Sequence, residues 1–155
     1  MTVVRIVLGT ERIHVHTDDG SFALPLGVHA VADGIASDPP RPEELTNAIG
    51  VVQDHLEDAS REVPTMEFAQ RIEFTGLGVP TLAAVEVGAS TVLPYELTRE
   101  AAEDVFRTLV TERRQQRALN PGLPADMVHP VLGVASVLVA TMRFLHADTV
   151  WLVDE

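Results

Sequence analysis

Apolar residues open the chain in three short runs, "VVRIVLG", "RIHVHT" and "SFALPLG", each rich in β-branched residues or alternating in polarity. Alternation at every second position is the mark of a half-buried strand. Turn residues separate the runs, first Gly9-Thr10 and then Asp18-Asp19-Gly20. Together they predict an antiparallel meander at the start of the domain. After "SDPPRPEEL" the spacing lengthens. Leu45, Ala48, Ile49, Val52, Leu56, Ala59 and Val63 recur at helical intervals and form one apolar stripe. Pro42 suits the first helical position, where its missing N–H would be unpaired anyway, and Glu43 and Glu44 favour the positive end of the helix dipole. Pro64 stops the helix.

Arg71 to Phe74 alternates like a strand, Thr75 to Gly78 reads as a tight loop, and a short helix follows from about Pro80. "STVLPYEL" reads as an extended connection. "LTREAAEDVFRTLVTERRQQ" predicts a helix capped by Thr98, with Ala102, Val105, Phe106, Leu109 and Val110 facing inward. "NPGLP" breaks the chain. A second helix runs from about Pro124 to Leu145, apolar on nearly every side, as befits one buried between layers. Pro130 falls in its early turns or marks a delayed start. "DTVWLVDE" is a last strand. The order is three strands, helix, strand, helices, strand. It predicts an α/β layered domain, with a mixed sheet (the three-strand meander plus parallel strands) and helices packed on it. This order resembles the ribonuclease H-like half of the actin-like ATPase architecture.

Length and composition sharpen this picture. A chain of 155 residues fits one domain, residues 1–155, burying roughly 70% of its unfolded surface. A hydrophobic content of 46% with ordinary charge calls for a packed core. With no cysteine there is neither a disulfide framework nor thiolate chemistry. The start shows no basic region followed by an apolar core, the pattern of a signal peptide. The longest apolar stretch, Val131 to Ala140, is far short of the roughly 20 residues that span a bilayer. The expectation is a soluble cytoplasmic protein that engages no membrane.

Net charge is −12, and all 11 basic residues are arginine. So acidic a surface repels nucleic acid unless arginines cluster. The dense cluster is Arg113, Arg114 and Arg117, read here as a solvated helix end favoured by the dipole, with a phosphate patch as the alternative.

Few residue groups suggest chemistry. A strand, a glycine loop and a helix start around Thr75 to Pro80 form a plausible anion cradle, because unpaired helix N–H groups point into it. His14 and His16 share a strand face about 7 Å apart, but spacing supplies no third ligand, so they read as exposed histidines. Asp18 and Asp19 read as turn residues, and Glu57 and Asp58 as a solvated helix face. No metal site, Walker loop, EF-hand or Gly-x-Ser-x-Gly elbow is present.

"FALPLG", "SDPPRPEEL", "TGLGVPTLAA", "LTREAAEDVFRTL" and "ERRQQRALNPGLPADMV", in that order, resemble the second domain of the Ppx/GppA family, across almost the whole chain. The resemblance implies descent from exopolyphosphatases and guanosine pentaphosphate phosphohydrolases. In these, two such domains flank a cleft where water cleaves a phosphoanhydride, usually with Mg²⁺. The family's first domain supplies a catalytic glutamate and one phosphate loop, and the second supplies two more loops. No first domain is present in residues 1–155. Beyond "VDE" the family usually continues into a glycine-containing turn and a last helix. The family's Asp-Ile-Gly-Gly-Gly-Ser-Thr-Glu loop falls on Arg5 to Arg12, where Ile6 and Gly9 match and Thr10 is a conservative change. Its Thr-Gly-Gly-Thr-Ala-Thr loop falls on Thr75 to Pro80, where Thr75 and Gly76 match and Gly78 supplies a further glycine. Its His-Gly pair falls on Leu93-Pro94, and its Arg-Ala-Asp on Met127, Val128 and His129.

These departures have physical consequences. Each glycine lets backbone N–H groups approach phosphate oxygens without a Cβ in the way. Val7 and Leu8 put branched chains there instead. Arg5 reverses the charge of the acidic residue and, in an alternating strand, points to solvent, opposite to Val4 and Ile6. The expectation is a non-catalytic half-domain that acts as a binding or assembly module, pairs with itself or with another protein, and carries no catalytic residue and no cofactor. The alternative is a phosphoanhydride hydrolase fragment, or a half that completes its cleft by dimerising, with Mg²⁺. In that case Gly9, Thr10, Thr75, Gly76 and Gly78 line a phosphate site. A third reading is a regulatory domain that binds phosphate or a nucleotide without cleaving it.

Overall fold

The computed structural model describes residues 1–155. The three opening runs form β1 (Val3–Leu8), β2 (Ile13–Thr17) and β3 (Gly20–Leu24), an antiparallel meander as expected. A short helix, α1 (Val28–Asp33), follows, then α2 (Pro42–Glu62) and a 3-10 turn over Pro64–Phe68. Next come β4 (Arg71–Gly76), α3 (Val79–Val87), the short strand β5 (Tyr95–Thr98) and α4 (Arg99–Thr111). The chain closes with α5 (Arg114–Arg117), a 3-10 turn over Ala125–Met127, α6 (Pro130–Phe144) and β6 (Thr149–Leu152). The six strands form one sheet in the order β3-β2-β1-β4-β6-β5. β1, β4 and β6 run parallel at its centre, and β5 pairs antiparallel at the far edge.

The stripe read along α2 is the buried one. Ala48, Ile49, Val52, Leu56 and Ala59 are all inside. Its start is fixed by Glu44, whose carboxylate accepts from the N–H groups of Arg41 (2.9 Å), Ala36 (3.0 Å) and Ser37. These bonds, the one from Arg41 foremost, hold the Glu44 carboxyl below its ordinary pKa. α6 is buried along its length from Val131 to Met142 and packs against α1, α2, α3 and α4. Two polar residues sit in that stretch. Ser136 and Thr141 turn their hydroxyls back to the carbonyls four residues earlier, at 2.7 Å each, so neither is left unpaired. Where α1 crosses α6, a Cβ on Gly133 would collide with the Val28 carbonyl. The crossing therefore demands glycine.

Four expectations are corrected. α1 was not expected at all. "STVLPYEL" does not stay irregular, because its last residues pair antiparallel to β6 as β5. The helix after Thr98 ends at Thr111, where Glu112 and Arg113 become extended, and only a single turn resumes at Arg114. The helix expected from Pro124 starts at Pro130, so Pro130 marks a delayed start. Thr98 does cap α4, its hydroxyl accepting from the Ala101 N–H at 3.1 Å.

The layers are asymmetric. Val4, Ile6, Leu8, Ile13, Val15, Ile72, Phe74, Val150 and Leu152 join the helices in one core. On the opposite face Arg5 and His16 are exposed, and Val3, Val7, His14, Glu73 and Trp151 are only half-buried. The helices occupy one side of the sheet.

Candidate functional site

Parallel pairing of β1 and β4 brings their loops together, with Val7 beside Thr75 and Leu8 beside Gly76. Gly9, Thr10, Thr75, Gly76 and Gly78 thus share one end of the sheet. Gly76 has φ +99°, and a Cβ there would strike the Leu8 carbonyl. Glycine is required because the two strand ends touch. Gly78, at φ +79°, is the residue from which α3 starts.

One backbone bond joins the two loops, and the others tie the first loop to itself and to α1. The Leu77 N–H donates to the Leu8 carbonyl at 2.9 Å, and the Gly9 N–H donates to the Arg12 carbonyl at 2.9 Å. The Gly9 carbonyl accepts from the Val28 N–H at 3.0 Å, tying the loop to α1. In the first turn of α3, Pro80 has no N–H, and Leu82 bonds back to Gly78. Only Val79 and Thr81 within that turn offer N–H groups without a helical partner. Beside them, Thr75 is 2% exposed and its Oγ1 has no hydrogen-bond partner. An orphaned hydroxyl is a rare feature that calls for a reason.

The remaining family positions lie elsewhere or are apolar. Arg5 does not reach the loops. Its guanidinium donates to Glu73 Oε1 at 3.0 Å on the neighbouring strand, with 45% of its side chain exposed. Arg71 donates to the other oxygen of Glu73 at 2.8 Å and lies 4.5 Å above the Trp151 ring. Burial pushes the Glu73 carboxyl up, but hydrogen bonds from Arg71 and Arg5 outweigh it and hold the pKa below the ordinary value. Met127 and Val128 are core residues. His129 faces Asp33 of α1, with Nε2 3.3 Å from Oδ1. His14 and His16 stack, with centroids 5.9 Å apart.

Mg²⁺ is held by one or two carboxylates together with substrate phosphates, and the two loops carry one carboxylate between them, Glu11. Nowhere do three or more histidine, aspartate or glutamate side chains group as a metal site would need.

Of the arginine cluster, Arg113 and Arg114 are exposed as expected, but Arg117 is 2% exposed, not solvated. Its guanidinium donates to the carbonyls of Leu109 (3.2 Å), Val128 (3.0 Å) and Glu112 (3.2 Å). Burial lowers its pKa, against the pull of Asp38 and Glu112. The sequence held no reliable signal for this, because the chain leaves the helix at Glu112 and Arg113 and resumes a turn only at Arg114, so the spacing from Leu109 does not carry through.

No family model matches the chain, and no curated protein matches it either. Solved structures do. An exopolyphosphatase-like protein superposes with a TM-score of 0.89 at 18% identity, covering 99% of this chain and 55% of that one. The Aquifex aeolicus Ppx-GppA enzyme gives 0.84 at 16%, covering 99% and 54%. An exopolyphosphatase from Cytophaga hutchinsonii gives 0.78 at 11%, covering 99% and 53%. The chain spans about half the length of these structures, and at such identities the likeness is one of fold. From end to end, this chain has the α/β fold of one half of a Ppx/GppA exopolyphosphatase.

Proposed function

We propose that this chain is a non-catalytic Ppx/GppA-like half-domain that works as a binding or assembly module. One observation carries the reading. At the junction of the two loops, the N–H groups of Gly9 and Leu77 are engaged by the chain's own carbonyls. A phosphohydrolase acts by positioning and by donors aimed at the transferring oxygens. Donors engaged internally cannot serve that purpose, and Val7 and Leu8 replace two glycines of the family loop, with Leu8 turned into the core.

A second reading has an observation in its favour. The orphaned Thr75 hydroxyl lies next to the start of α3, with Gly76 and Gly78 between them. Thr10, Thr75, Gly76 and Gly78, with Gly9, would then form a residual phosphate site, in a sensor or in a hydrolase completed by a second polypeptide. Phosphate release from polyphosphate and guanosine pentaphosphate with Mg²⁺, run beside calorimetric titration of both compounds, separates these readings. The module reading expects no release above the buffer rate. Binding without release supports a sensor, and turnover by the chain alone overturns the module reading.

A further inference from the structure

In the helical layer, α2 and α4 both pack on α6 but not closely on each other. Between them lies an open groove of about 440 Å³. Leu45 and Ile49 of α2 and Phe106 of α4 give it apolar walls, with Thr46 and Gln53 beside them and Arg143 of α6 at its floor. Gly50 lines it as well. Glycine weakens a helix interior, and the fold does not ask for it here. A Cβ on Gly50 would meet nothing beyond its own helix within 4 Å, whereas one on Gly133 would strike the Val28 carbonyl. The bare backbone at Gly50 leaves room for a second backbone to lie close on α2.

Charge and length select what lies there. The lined stretch of α2 runs from Pro42 to Gln53, three turns or about 17 Å along the axis. A helix can lie along it, where a single side chain would need far less. Glu43 and Asp54 are exposed, and neither has an ion-pair partner. Helical spacing sets both beside Gly50 around the axis, on the solvent side of the groove. Across from them the arginines are already matched. Arg107, next to Phe106, donates to Asp104 at 2.7 Å, and Arg143 donates to both oxygens of Glu103 at 2.7 and 3.0 Å. The unmatched charge along the lined stretch is therefore negative.

We propose that the groove between α2 and α4 is a docking site for a basic amphipathic helix of a partner protein. This deepens the module reading by naming the partner's chemistry, and it rests on that reading. The partner helix sets an apolar stripe, spaced i, i+3 or i+4 and i+7, over Leu45, Ile49 and Phe106. Its backbone passes Gly50. Two basic residues about three turns apart along one edge meet Glu43 and Asp54. The chain's charge of −12 speeds encounter with such a partner and turns acidic helices away.

The probe is a labelled synthetic peptide of about 18 leucine and lysine residues patterned as one amphipathic helix. Its scrambled sequence controls for charge alone. Fluorescence anisotropy should give a dissociation constant on the order of 10 μM for the patterned peptide, and one at least about tenfold weaker for the scrambled one. The chain has five isoleucines, and Ile49 is the one that lines the groove. In methyl NMR spectra Ile49 should shift on titration while the other four stay. Gly50→Leu fills the groove from a position without neighbours. It should melt no lower than the parent and bind at least about tenfold more weakly. Glu43→Gln with Asp54→Asn, both at exposed positions, should weaken binding about fivefold and flatten its salt dependence. A patterned peptide that fails to bind, binds no better than the scrambled one, or leaves Ile49 unmoved overturns the docking site. Binding that ignores Gly50→Leu overturns it too. An Ile49 shift that appears on concentrating the chain without peptide gives the groove to a second copy and rules out the basic helix. Each of these leaves the module reading intact, and polyphosphate turnover would defeat that reading independently.

Discussion

At the scale of single residues, Arg117 does the most structural work of any charged group. Its three bonds join the last turn of α4, the extended Glu112 and the residue before His129 at the entrance to α6. The planar guanidinium is suited to this, since its donors diverge in a fixed fork. Removing it leaves three carbonyls facing a dry interior without donors. Arg117→Met, which keeps the volume, should lower stability by about 3 kcal/mol or more in urea denaturation. Arg117→Lys should recover only part of that, because one ammonium cannot reach three carbonyls set around a plane. If Met were tolerated without loss, packing rather than hydrogen bonding would account for the burial. The residue was misread because arginine was weighed by its charge, and only the extended break at Glu112 and Arg113 turns Arg117 back onto the end of α4.

At the scale of elements, legibility followed length. α2 repeats its apolar positions over five turns and α6 is apolar almost throughout, so periodicity alone located both. α1 has six residues and no side-chain cap, and local sequence gives it no signature. It exists because Gly133 lets it lie close on α6. The break after Thr111 was hidden because Thr111 to Gln116 contains neither glycine nor proline. The loop junction was half legible. Glycine positions marked the turns, but nothing in the sequence showed that Leu77 and Gly9 would engage their own donors internally. The seam between α3 and α4 supports a further prediction. Glu86 on α3 is partly buried, which raises its pKa, and the charge of Asp104 on α4 adds to the rise. A carboxyl whose folded pKa is raised contributes its stability when protonated, and loses that contribution as pH rises through the folded value. Glu86→Gln should therefore stabilise the fold at pH 7 by up to about 0.5 kcal/mol. The advantage should shrink as pH falls toward about 4. Thermal melts of both proteins across that range would show it, and a gain that grows on acidification would contradict it.

At the scale of the whole molecule, the layer order was readable from the alternation of strand-like and helix-like runs, and the structural neighbours share it over 99% of the chain. The asymmetry of the layers was not readable. Polar positions in β1 and β4 showed that one face would be hydrophilic, but only the assembled sheet shows that every helix chose the other. Charge distribution at this scale carries the last prediction. With −12 on a 16.8 kDa chain, self-repulsion opposes compaction, whereas the unfolded chain spreads the same charge over a larger volume. Salt should therefore stabilise the fold. Raising NaCl from about 20 to about 300 mM shortens the screening length from about 20 to about 6 Å. The close pairs Arg143–Glu103 (2.7 Å) and Arg5–Glu73 (3.0 Å) are half-buried and shorter than either length, so they are weakened less than the long-range repulsion. The melting temperature at pH 7 should rise by roughly 2–5 °C. The rise should be smaller at pH 5.5, closer to the sequence pI of 4.8, where less charge is left to screen. An equal rise at both pH values would assign the effect to the salt's action on apolar surface. A fall at pH 7 would mean that local ion pairs, not the net charge, govern this fold.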